Sequence, residues 1–143
     1  MSDNTAPVKT SRPNVILILA DDMGFADLGC TGSKIQTLNI DALAKGGAML
    51  SAMYNCARCC PTRASLLTGL YPHNAGVGHM GANLGTPAYQ DFLRNDSATI
   101  AERLRANGYA TLMSGKWHVA GDFEARNVDS WRCGTSDPAP ARF

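Results

Sequence analysis

Apolar positions along the chain fall into short blocks separated by polar, glycine-rich ground, and their period changes from block to block. Asn14 to Leu19, in the run NVILILADD, is β-branched and unalternating, which predicts a strand buried on both faces of a mostly parallel sheet. Asp21, Asp22, Met23 and Gly24 follow at once, so two carboxylates stand just past the carboxyl end of that strand. Open α/β sheets collect their ligands there. LNIDALAKGG predicts a short helix that Thr37 can cap, with Leu38, Ala42 and Leu43 on one face and Gly46-Gly47 as the stop. AMLSAMYN alternates as a strand should and runs into a second helix, for which Pro61 suits the first turn and Gly69 marks the end. Residues 70–96 are rich in Gly, Asn and Pro and read as a long loop over the surface, with His73 and His79 in it. Thr99 and Glu102 form a capping box for TIAERLRANG, which Gly108 closes. YATLMS then predicts another buried strand, delivering Gly115, Lys116, Trp117 and His118 to its end.

The order strand, helix, strand, helix, loop, helix, strand predicts α/β architecture with chemistry gathered at strand ends. Residues 1–13 read as a disordered lead, and the stretch from Gly121 to Phe143 has two prolines and no periodicity. A sheet of so few strands would leave unpaired edges, so residues 14–143 are expected to be an incomplete part of a longer domain.

Composition narrows the function classes. Of 143 residues, 45% are hydrophobic and 17% charged, the balance of an ordinary globular domain. Thirteen basic against twelve acidic residues give a net charge of +1, so no global field recruits nucleic acid or an anionic membrane. The aliphatic run Val15 to Ala20 is far short of the ~20 apolar residues of a spanning helix. The start, MSDNTAPVKTSRPN, has no apolar central block and predicts a cytoplasmic protein, or a periplasmic one if that start is not native.

Three of the five cysteines, Cys56, Cys59 and Cys60, fall within five positions, too close to staple distant parts of a fold. Cys56 and Cys59 have the C-x-x-C spacing of half a zinc site, but only the isolated Cys30 and Cys133 and three scattered histidines could complete it. A redox pair fits no better, because Cys60 and Pro61 interrupt that arrangement. Burial as a small hydrophobe is the ordinary fate of a free cysteine and competes seriously at Cys30, Cys56 and Cys133. Cys59 has a different context: a helix start with Arg63 one turn along, whose guanidinium fork suits a tetrahedral anion.

Cys59-Cys60-Pro61-Thr62-Arg63, followed by Ala64-Ser65-Leu66-Leu67-Thr68-Gly69, resembles the sulfatase signature, C-x-P-x-R and a helix ending in T-G. RPNVILILADDMGFADLG resembles that family's first strand and metal loop, and MSGKWHVAGDF its lysine and histidine segment. Three motifs in the right order are far more specific than one. The resemblance implies an alkaline-phosphatase-like α/β fold, with a mixed, mostly parallel sheet flanked by helices, of which residues 14–143 would be the N-terminal portion. It implies that Cys59 is oxidised to formylglycine by a formylglycine-generating enzyme that reads C-x-P-x-R. Asp21, Asp22 and the modified residue 59 would be metal ligands, for Ca²⁺ with Mg²⁺ as the alternative. Arg63 would hold the hydrated aldehyde, and Lys116 and His118 would contact the sulfate and its leaving oxygen. The implied substrate is a small sulfate monoester, cleaved through a diol hydroxyl that attacks sulfur and a second hydroxyl that expels sulfate. A phosphonate or phosphate monoester hydrolase shares the fold and remains the alternative, as does an inactive fragment. The acidic and amide pair that completes the family's metal site has no counterpart in the chain, which alone is expected to be weakly folded and inactive.

Overall fold

The computed structural model describes residues 12–120, and the chain divides into two units, one ending at Met49 and one beginning at Leu50. The first unit holds two single 3₁₀ turns, Phe25–Asp27 and Gly29–Thr31, and helix α1, Leu38–Gly46. Asp41 ties the second turn to the helix. Its Oδ1 accepts from the Cys30 amide at 2.9 Å and from the Thr37 hydroxyl at 2.7 Å, and that hydroxyl oxygen accepts from the Gly29 amide at 2.8 Å. A Cβ on Gly29 would lie 2.5 Å from Asp41 Oδ2, so this junction closes only around glycine. Thr37 stands at the N-cap as expected, but its hydroxyl turns to Asp41 and forms no cap bond.

Asn14–Leu19 departs from expectation. No strand ladder forms among the described residues, and Val15 to Leu19 are 40–82% exposed. The same holds for AMLSAMYN and YATLMS, where Tyr54 and Leu112 are exposed. An apolar run specifies a segment that gains by burial, but only a neighbouring strand can supply the ladder, and the described residues provide none.

The second unit is built on α2, Cys59–Thr68, and α3, Ile100–Ala106. α2 ends where Gly69, at φ 71°, donates its amide to the Ser65 carbonyl at 2.8 Å. α3 begins with the expected capping box: the Thr99 hydroxyl accepts from the Glu102 amide at 3.2 Å, and the Glu102 carboxylate accepts from the Thr99 amide at 2.6 Å. The core gathers Cys60 and Ala64 of α2 with Ala75, Val77, Leu93 and Val119, and Leu67 and Trp117 pack against it.

Residues 70–96 are therefore not simply a surface loop. Antiparallel bridges pair Val77 with Tyr89 and Phe92 with Ala120, so the segment folds across α2 and puts three of its side chains in the core. Gly76 and Gly78 make this possible: a Cβ on Gly78 would meet His73 Cδ2 at 2.6 Å and the Ala88 carbonyl at 2.9 Å. No helix among the described residues is long and apolar enough to cross a membrane.

Candidate active site

Cys59 is the first residue of α2 and half-buried, and Arg63 follows one turn later on the same face. Arg63 is only 8% exposed, and its Nη1 donates to the Lys116 carbonyl, a link across 53 positions. That bond joins the helix start to GKWH, the two stretches that the sequence picks out separately. A buried guanidinium needs such acceptors to offset the water it gives up.

Lys116 and His118 do not follow a strand, although YATLMS leads one to expect it. Gly115 sits at φ 100° and His118 at φ 58°, and these left-handed turns replace the pleat. Lys116 is exposed, His118 Nδ1 is shielded from solvent, and the following Val119 is 2% exposed and anchored in the core. The Val119 carbonyl accepts from the Leu93 amide at 3.2 Å, which fixes the segment just past His118.

Asp21 and Asp22, in the first unit, are both exposed carboxylates, and Asp22 has φ 57°. Four non-glycine residues among those described have positive φ: Asp22, Ala57, Asp91 and His118. Two of them are sequence-predicted site residues, and backbone strain of this kind concentrates at functional positions.

The other cysteines separate cleanly. Cys60 is 1% exposed; burial first, then the charges of Asp91 and Cys59, push its thiol up, so it stays a neutral, packed side chain. Cys56 Sγ lies 3.6 Å from the Ser65 hydroxyl. Cys30 is exposed, with its thiol raised by desolvation and by Asp41. Cys133 lies outside the described residues. Sequence reasoning missed Asp91, which is 6% exposed and accepts from the Gly81 amide at 3.0 Å. Its place in a polar, glycine-rich stretch gave no signal of burial.

A thiol at a helix start thus stands one turn before a buried arginine that is tied to a lysine-bearing loop. The chain belongs to the sulfatase family, whose model matches residues 13–134. Over 111 residues it is 42% identical to an arylsulfatase of Klebsiella aerogenes, covering 76% of this chain and 24% of that protein. It is 43% identical over 109 residues to human arylsulfatase A, covering 75% of this chain and 21% of the relative. Human steryl-sulfatase is 44% identical over 114 residues, covering 76% and 19%. The chain thus spans about a fifth to a quarter of the length of these relatives. Membership carries the family's alkaline-phosphatase-like α/β fold class, although no sheet forms among the described residues.

Proposed function

We propose that this chain carries the nucleophile end of a sulfate monoester hydrolase, with formylglycine made from Cys59. The observation that supports this most is the bond from Arg63 to the Lys116 carbonyl, because it brings the signature helix and GKWH into one place. The names of the relatives, arylsulfatase and steryl-sulfatase, support an aryl or sterol leaving group.

Asp21 and Asp22 would hold a divalent cation. Their exposed carboxylates are hard oxygen donors that fit Ca²⁺, or Mg²⁺, whereas a cysteine sulfur at position 59 fits neither until oxygen replaces it. When bound, the cation supplies positive charge against the sulfuryl oxygens, and the modified residue supplies a hydrated aldehyde oxygen as nucleophile. Arg63 orients that oxygen with its guanidinium fork. Lys116 binds a sulfate oxygen, and His118 gives a proton to the leaving oxygen. The formylglycine-generating enzyme is the partner that this reading requires during maturation.

The test is sulfate release from p-nitrophenyl sulfate, against hydrolysis of a phenylphosphonate ester, by a protein that carries this chain within a complete domain, purified from cells with the maturation enzyme. Preference for the sulfate ester, lost in Cys59→Ala, is expected. Preference for the phosphonate, or sulfate hydrolysis that survives Cys59→Ala, would overturn the reading.

A further inference from the structure

Beside the first turn of α2 lies a cavity of about 320 Å³, lined among others by Cys56, Arg58, Pro61, Pro72, His73 and His79. Its volume is at the low end of small-ligand sites, enough for a ring with one substituent. Arg58 is the N-cap residue of α2, directly before Cys59, and its side chain makes no cap bond to the helix. Instead its Nη1 lies 3.4 Å from His79 Nε2, and His79 Nδ1 lies 3.1 Å from the Met80 carbonyl.

Those two contacts fix the ring. A guanidinium can only donate, so Nε2 accepts, and a carbonyl can only accept, so Nδ1 carries the proton. His79 therefore acts as a brace that aims Arg58 along the cavity wall, with the other guanidinium donors still available. Among the described residues no carboxylate pairs with Arg58, while His73, held edge-on to Tyr89 at 5.3 Å between ring centroids, adds a second imidazole to the lining. Pro61 and Pro72 give the cavity apolar walls. Cys59 does not line it, so the cavity receives what is attached to the ester rather than the ester itself.

We propose that this cavity is a subsite for an anionic substituent, a carboxylate or a second sulfate ester, on the leaving group of the substrate. The assignment rests on the sulfatase reading of Cys59. Arg58 directly precedes the nucleophile position, and the cavity it lines lies beside the first turn of the helix that residue 59 opens. Arg58 acts as a specificity-determining residue and His79 as a positioning residue behind it.

The experiment titrates the ¹⁵N-labelled 143-residue chain with benzoate, benzenesulfonate and benzyl alcohol, following the Arg58 Nε–H and His79 ring signals by NMR. The two anions should shift both signals and the alcohol neither, and their relative affinities separate carboxylate from sulfate recognition. Arg58→Gln should weaken anion binding about tenfold or more, the loss of one charge-assisted hydrogen bond, with amide dispersion retained because no cap bond is removed. His79→Gln should weaken it less and broaden the Arg58 signal. No shift with either anion, equal shifts with benzyl alcohol, or unchanged affinity in Arg58→Gln would overturn the subsite. Anion binding by the chain, with no sulfate ester hydrolysis by a complete domain that carries it, would instead overturn the leaving-group assignment together with the reading of Cys59. Hydrolysis without anion binding removes the subsite alone.

Discussion

Replacing Arg63 by alanine should weaken the second unit measurably even with no substrate present. The side chain is 8% exposed, and its Nη1 donates to the Lys116 carbonyl. Losing a charge-assisted hydrogen bond of this kind costs about 1.5–3 kcal/mol, and loss of the packed alkyl stem acts in the same direction. With a urea m-value of about 2 kcal/mol/M, the midpoint should fall by roughly 1 M. Arg63→Lys is the informative control: it keeps the charge and most of the stem but not the fork, so it should recover only part of the loss. Urea unfolding followed by far-UV circular dichroism reads all three chains, with equal m-values required for the comparison. A midpoint for Arg63→Ala that coincides with that of the parent would refute the argument that Arg63 fastens α2 to the Lys116 segment.

Thr99→Ala should cost about 1 kcal/mol, since Thr99 is 1% exposed and caps α3 reciprocally with Glu102. Glu102→Ala should cost less in the Thr99→Ala background than alone, which a double-mutant cycle of urea midpoints would detect. In the first unit, the Thr37 hydroxyl foremost, with the Cys30 amide, holds the Asp41 carboxyl below its ordinary value. A depressed folded pKa gives stability that is present above the unfolded value, about 3.9, and lost as pH falls through the lower folded value. α1 helicity should therefore decline on acidification below about pH 4, and Asp41→Asn should remove that component of the titration; an identical acid profile in both chains would contradict it.

What the sequence could reveal was local. The Thr99–Glu102 box, Gly69 and the Cys59–Arg63 spacing act within a turn or two, and the structure has all three helices within a residue or two of their expected bounds. The expected strands could not be read the same way, because Val15 to Leu19 show only that they gain by burial, not which segment pairs with them. Residues 70–96 misled for a related reason. Gly76 and Gly78 look like surface punctuation, yet their lack of side chains is what lets Val77 enter the core beside the crossing segment of residues 88–92. At the site, Cys59 and Arg63 stood out by residue type and spacing, and Lys116 and His118 through the resemblance of GKWH. The 53-residue bond from Arg63 to Lys116 and the left-handed turn at His118 are tertiary and had no local signal. Arg58 and His79 form a pair 21 positions apart, and neither residue alone suggests it.

The central claim is that the sulfur of Cys59 exists to be replaced by oxygen. Trypsin should release Cys59–Arg63, and mass spectrometry of that peptide from protein made in cells with the formylglycine-generating enzyme tests the claim most directly. The peptide should have lost one sulfur and two hydrogens and gained one oxygen, with fragmentation assigning the change to residue 59 and leaving Cys60 a thiol. An intact thiol at Cys59 in those cells, or the change at Cys60, would contradict it.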